Sequence, residues 1–190
     1  TDTLQFVRES DHSILLSQAL ADTSSIEISG SEFADRLSVD FTNPFDVPIV
    51  FEDTYDGDND SLEVLGDKTE WRILGEDRGR VSGGGQVEFS GVENLNGGPA
   101  NRDTFIFDPA GRVSGEIDGG VSGDDALVFR DWTFYKAADS AEGSIDVQGA
   151  GIDYSGLEFT PAAVPGMDLD GEALQDVFDR LGNWLGSLSG

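Results

Sequence analysis

Along most of the chain apolar and polar residues alternate at a period of two, in short runs bounded by Gly, Asp and Asn. Leu4-Gln5-Phe6, Ile26-Glu27-Ile28, Leu37-Ser38-Val39, Leu62-Glu63-Val64, Val87-Glu88-Phe89 and Ile152-Asp153-Tyr154 all have this form. Such alternation puts one face of a short strand inward and the other toward water. Gly83-Gly84-Gly85, Gly97-Gly98 and Gly119-Gly120 punctuate these runs. They read as turns, because glycine adopts positive φ without a side-chain clash. No helical stripe interrupts the pattern before about residue 161, so an all-β chain of many short strands is expected.

The runs also resemble one another. Thr1-Asp2-Thr3-Leu4-Gln5-Phe6, Asn59-Asp60-Ser61-Leu62-Glu63-Val64 and Asp124-Asp125-Ala126-Leu127-Val128-Phe129 share an acid, a small residue, Leu and a second apolar residue two places on. Ile26-Glu27-Ile28-Ser29-Gly30, Val87-Glu88-Phe89-Ser90-Gly91 and Ile152-Asp153-Tyr154-Ser155-Gly156 form a second set, offset from the first by 24, 27 and 27 residues. Between these units, Ala34-Asp35-Arg36-Leu37 resembles Arg102-Asp103-Thr104-Phe105, and Ile49-Val50-Phe51-Glu52-Asp53 resembles Gly115-Glu116-Ile117-Asp118. The chain therefore reads A-B-A-B-A over residues 1–160. A single such unit has no partner for its apolar face, whereas stacked units share a continuous core. The expected architecture is a parallel β-helix, or β-solenoid. A β-sandwich, which also carries many short strands, is the alternative.

Residues 161–190 depart from this pattern. Pro161 and Pro165 bracket a linker of small residues. Beyond it, Leu174, Val177, Phe178, Leu181, Trp184, Leu185 and Leu188 form one apolar stripe at helical spacing. Asp168 or Asp170 is placed to cap such a helix, and Glu172 suits its positive end. The expectation is an amphipathic C-terminal helix that covers an open end of the β domain, or that docks a neighbouring domain or a second copy as a homodimer.

Composition narrows the function. The 190 residues include 38 acidic and 11 basic ones, for a formal net charge of −27, with 25 glycines and 37% hydrophobic residues. An anionic surface of this strength repels phosphate, so nucleic acid is not an expected partner, and it repels anionic membranes. It attracts cations. No run is long and apolar enough to insert in a bilayer. The absence of cysteine removes disulfides, thiolate metal sites and a cysteine nucleophile. The chain opens on Thr1 and reads as a processed protein or a segment of a longer one.

Candidate chemistry lies in the acidic turns. Asp53-Thr54-Tyr55-Asp56-Gly57-Asp58-Asn59-Asp60 alternates carboxylates that a tight loop aims at one point, and Asp118, Asp124 and Asp125 occupy the matching turn of the next repeat. Oxygen-only donors of this kind suit Ca²⁺. The segment is not an EF-hand, because Gly57 is misplaced and no helices flank it. His12 is the sole histidine, and no nucleophile elbow or phosphate loop accompanies it. An enzyme is not expected. A carbohydrate-active reading would use Trp71, Trp132, Tyr135 and Tyr154 as a sugar-stacking platform, although packing is the commoner role of such residues.

The stretch Phe89-Ser90-Gly91-Val92-Glu93-Asn94-Leu95-Asn96-Gly97-Gly98, continued by Asp103-Thr104-Phe105, resembles repeats of very large bacterial surface and exported proteins, among them haemagglutinin-like adhesins and RTX-type calcium-binding proteins. Gly119-Gly120 followed by Gly123-Asp124-Asp125-Ala126-Leu127 extends the resemblance, which covers most of residues 1–158 and is strongest over 87–129. It implies a β-helical or β-roll stalk, secretion, and an adhesive or matrix role. The expected reading is a structural or adhesive module, extracellular or at the cell surface, with neighbouring domains and a cell-surface or glycan ligand as partners. The RTX pattern is not met in full. Gly97-Gly98 leads into Pro99-Ala100, Gly119-Gly120 reaches Gly123 one residue late, and no nine-residue tandem exists. A regular RTX metal ladder is therefore not implied.

Overall fold

The structure is a computed structural model that describes residues 2–55, 59–129, 142–147 and 150–157. Its strands in chain order are β1 (Thr3–Val7), β2 (Ile14–Ala19), β3 (Ile26–Ser29), β4 (Arg36–Asp40), β5 (Ile49–Glu52), β6 (Ser61–Leu65), β7 (Lys68–Gly75), β8 (Arg78–Ser82), β9 (Gln86–Ser90), β10 (Asn94–Asn96), β11 (Arg102–Phe107), β12 (Glu116–Asp118), β13 (Ala126–Phe129), β14 (Gly143–Val147) and β15 (Ala150–Ser155). One 3-10 turn, Leu20–Asp22, follows β2. The all-β class expected from the alternation is observed.

β1 and β2 form a two-stranded antiparallel hairpin. The rest divides between a six-stranded sheet, ordered β14-β15-β12-β10-β6-β4, and a seven-stranded sheet, ordered β13-β11-β7-β8-β9-β5-β3. From β3 onward the chain passes from one sheet to the other and back. Strands that meet within a sheet are mostly parallel, as they must be when the intervening chain crosses to the opposite sheet and returns. Among the described residues, hairpin pairing is confined to β1–β2, β7–β8–β9 and β14–β15.

Register puts like on like. In the six-stranded sheet Leu37, Leu62, Leu95, Ile117 and Tyr154 are successive neighbours. In the seven-stranded sheet Ile28, Phe51 and Phe89 form one row, and Trp71, Phe105 and Leu127 another. These rows face one shared apolar core. Trp71 is fully buried, stacked on Phe105 at 5.3 Å and edge-on to Phe89 at 6.3 Å. A buried aromatic of this size contributes a large share of core free energy.

The similar runs do not occupy equivalent places. Asp2–Phe6 lies largely in the separate hairpin, Asp60–Val64 in the six-stranded sheet and Asp125–Phe129 in the seven-stranded sheet. Likewise Ile26–Ser29 and Val87–Ser90 share the seven-stranded sheet, whereas Ile152–Ser155 belongs to the other. The A-B-A-B-A scheme thus does not map onto the order of strands. What the similar runs share is local: a corner acid, then a strand whose alternate residues point inward. The expected helix and the 161–190 segment lie outside the described residues.

Candidate functional site

The chain passes from the seven-stranded to the six-stranded sheet at three successive corners, between β3 and β4, between β5 and β6, and between β9 and β10. Each corner ends in an acid directly before a strand: Asp35 before β4, Asp60 before β6 and Glu93 before β10. These acids hold one corner to the next. The Asp35 backbone N–H donates to Asp60 Oδ1 at 2.7 Å, and the Asp60 N–H donates to Glu93 Oε2 at 2.7 Å. A related bond occurs in the seven-stranded sheet, where the N–H of Asp103, second residue of β11, donates at 2.6 Å to Oδ1 of Asp125, the residue before β13. A strand start leaves an amide that the ladder does not satisfy, and a charged acceptor supplies a strong hydrogen bond.

Asp53 closes the other side of the middle corner. Its N–H continues the ladder to the Ser90 carbonyl, and its Oδ1 accepts the Tyr55 N–H at 2.5 Å. Asp53 is 6% exposed, and its Oδ2 is buried without a hydrogen-bond partner. Glycines flank it from both adjoining corners. A Cβ at Gly30 would overlap Asp53 Oδ2, and one at Gly91 would overlap the Asp53 carbonyl oxygen. Gly91 also has φ of +66°, a left-handed conformation that suits glycine. The glycine that ends Ile26–Gly30 and Val87–Gly91 is therefore set by the aspartate stacked between them.

Among the described residues, one set of carboxylates converges: Asp35, Asp53 and Asp60 each place an oxygen within 4.8 Å of the others. Asp60 is fully buried, and Asp35 is half-buried with its Oδ2 accepting the Ser31 N–H at 2.5 Å. Two of these residues, Asp53 and Asp60, belong to the acidic turn singled out in the sequence. Asp56 and Asp58 lie outside the described residues. Asp35 stands apart from that turn in the sequence, yet its Asp-x-Leu context is that of Asp60.

The second set of candidates is dispersed. Asp118 Oδ1 accepts the Gly120 N–H at 2.9 Å, Asp124 is exposed and pairs with Arg102 at 3.5 Å, and Asp125 is fully buried in its bond to Asp103. The sugar platform is not formed by the described members, since Trp71 and Tyr154 are core residues at 0% and 4% exposure. Trp132 and Tyr135 lie outside the described residues. His12 sits exposed in the β1–β2 turn, its N–H bonded to the Arg8 carbonyl at 2.8 Å.

Asp103 is the other buried acid of note. Its Oδ1 accepts the Thr69 hydroxyl and its Oδ2 accepts the Gly98 N–H at 2.9 Å. Burial nevertheless raises its pKa above the ordinary aspartate value, the desolvation outweighing those hydrogen bonds. No family model matches the chain, and no curated protein or solved structure is significantly similar to it.

Proposed function

We infer that this chain is a β-solenoid module of a secreted bacterial surface protein, serving as a structural or adhesive spacer rather than as a catalyst. The observation that carries this reading is the stacking of parallel ladders across two sheets. Leu37, Leu62, Leu95, Ile117 and Tyr154 continue one row through five neighbouring strands. Each turn of chain buries the apolar face of the next, which is the construction of an extended scaffold. A surface groove of about 480 Å³ is lined by Val50, Glu52, Leu74, Arg78, Arg80 and Glu88. Phe89 and Ser90 also line it. Among the described residues no helix is long and apolar enough to cross a membrane.

The strong negative charge keeps such a module soluble and apart from other copies. The resemblance of Phe89–Gly98 and Asp103–Phe105 to repeats of giant surface proteins supports the extracellular assignment.

A spacer must hold its ends at a fixed separation. The lack of cysteine allows Glu27→Cys on β3 and Asp153→Cys on β15, both exposed positions, to carry a single pair of spin labels. The expected distance distribution is one narrow peak. A distribution as broad as that of a flexible linker of equal length overturns the spacer reading.

A further inference from the structure

We propose that Asp35, Asp53 and Asp60 form a binding site for one divalent cation of the Ca²⁺ class, which ties the start of β4 to the end of β5 and the start of β6. The three oxygens lie within 4.8 Å of one another. Oxygens facing each other across a Ca²⁺ stand about 4.6–5.2 Å apart, and adjacent ones closer, so one ion fits between them. Convergence of acids alone would not require an ion. The independent observation is Asp53 Oδ2, an oxygen of a side chain more than nine-tenths buried that meets no donor. A carboxylate oxygen removed from water with nothing to bind it is costly, and a bound cation removes that cost.

Gly30 adds a second sign. Its missing side chain leaves open the space against Asp53 Oδ2, which any Cβ would invade. Among the described residues no salt bridge reaches Asp53. The donor set is hard oxygen alone, with no cysteine in the chain and its one histidine in the β1–β2 turn. Hard oxygen in an irregular corner suits Ca²⁺ over Zn²⁺, and over Mg²⁺, which demands near-octahedral order. The ion would neutralise three carboxylates that otherwise repel one another, and it would tie β3–β4 to β5–β6.

The site does not rest on the spacer reading. A rigid label pair with no cation effect would sink this proposal alone, and a broad label distribution alongside a saturable Ca²⁺ site would sink the spacer alone. The test is calorimetric titration of the whole chain with Ca²⁺, together with melting in EDTA, CaCl2 and MgCl2 at matched ionic strength. The expected result is one saturable Ca²⁺ site and a rise in Tm of about 5–10 °C at a hundredfold excess over Kd.

Asp53→Asn keeps the side chain's shape and removes its charge. In EDTA it should melt above the wild type, because repulsion is relieved; in CaCl2 it should melt below it. Gly30→Ala should lose the Ca²⁺ response, whereas Asp124→Asn, altering an exposed acid, should keep it. A Ca²⁺ response no larger than that to matched Mg²⁺, or one retained in both Asp53→Asn and Gly30→Ala, overturns the assignment. Should Asp53→Asn fail to fold, the wild-type titration and Gly30→Ala decide between the same two outcomes.

Discussion

A single buried acid shows how a residue's surroundings set its contribution. Asp103 links Thr69, Gly98 and, through its own N–H, Asp125, so it joins three segments at one point. Burial raises its pKa, which means the folded state holds the proton more tightly than the unfolded chain does. The stability that this proton contributes is complete below the ordinary value of 3.8 and is lost as the pH rises through the elevated folded value. Asp103→Asn removes that titration, and the Thr69 hydroxyl can turn to accept from the new amide. Denaturant midpoints measured from about pH 3.5 to about pH 7 should therefore show the wild type losing ground steadily to Asp103→Asn. Curves that stay parallel across the range would rule out this account.

At the scale of the element, β7 to β9 departs from the parallel rule. Two hairpin turns place β8 between β7 and β9, so that Trp71 stands opposite Val81, and Val81 opposite Val87. The insertion holds the row around Trp71 against the row around Phe89 in the same sheet. Trp71→Ala should cost about 3–5 kcal/mol by urea unfolding, within the range for buried aromatics. A loss under about 1 kcal/mol would show that the stack is not central.

Strand existence was legible at this scale because alternation is a local signal: Leu62-Glu63-Val64 and Val87-Glu88-Phe89 point inward and outward just as their pattern requires. Pairing was not legible, because the similar runs record local tasks. Asp60 and Asp125 both precede a strand and both accept an amide from the preceding turn of chain, yet their strands lie in different sheets. The same distinction governs the acids of the site. Asp53 and Asp60 could be found from the turn they bracket, whereas Asp35 joins them only through the parallel pairing of β4 with β6.

Over the whole molecule, charge opposes folding. A formal −27 spread over 190 residues sets the folded state against its own repulsion, since compaction brings like charges together. Salt screens that repulsion over a Debye length that shrinks from about 10 Å at 0.1 M to about 3 Å at 1 M. Raising NaCl from about 0.02 to about 0.5 M in EDTA should lift the Tm by several degrees, gradually and without saturation. An unchanged or lower Tm would mean that the acidic surface carries no net penalty for folding. Such a gradual response differs in form from the saturable one expected of the Asp35–Asp53–Asp60 corner, so the two effects separate in a single titration series.

Three of the amide-to-carboxylate bonds run forward along the chain, against backbone bonds between the same corners that run back. Asp35 gives its amide hydrogen to Asp60, Asp60 to Glu93, and Asp103 to Asp125. In each case the earlier residue waits for an acceptor that arrives later in the chain. A polypeptide emerging N-terminus first therefore cannot satisfy these three amides until the strand that follows each acceptor's corner has been made.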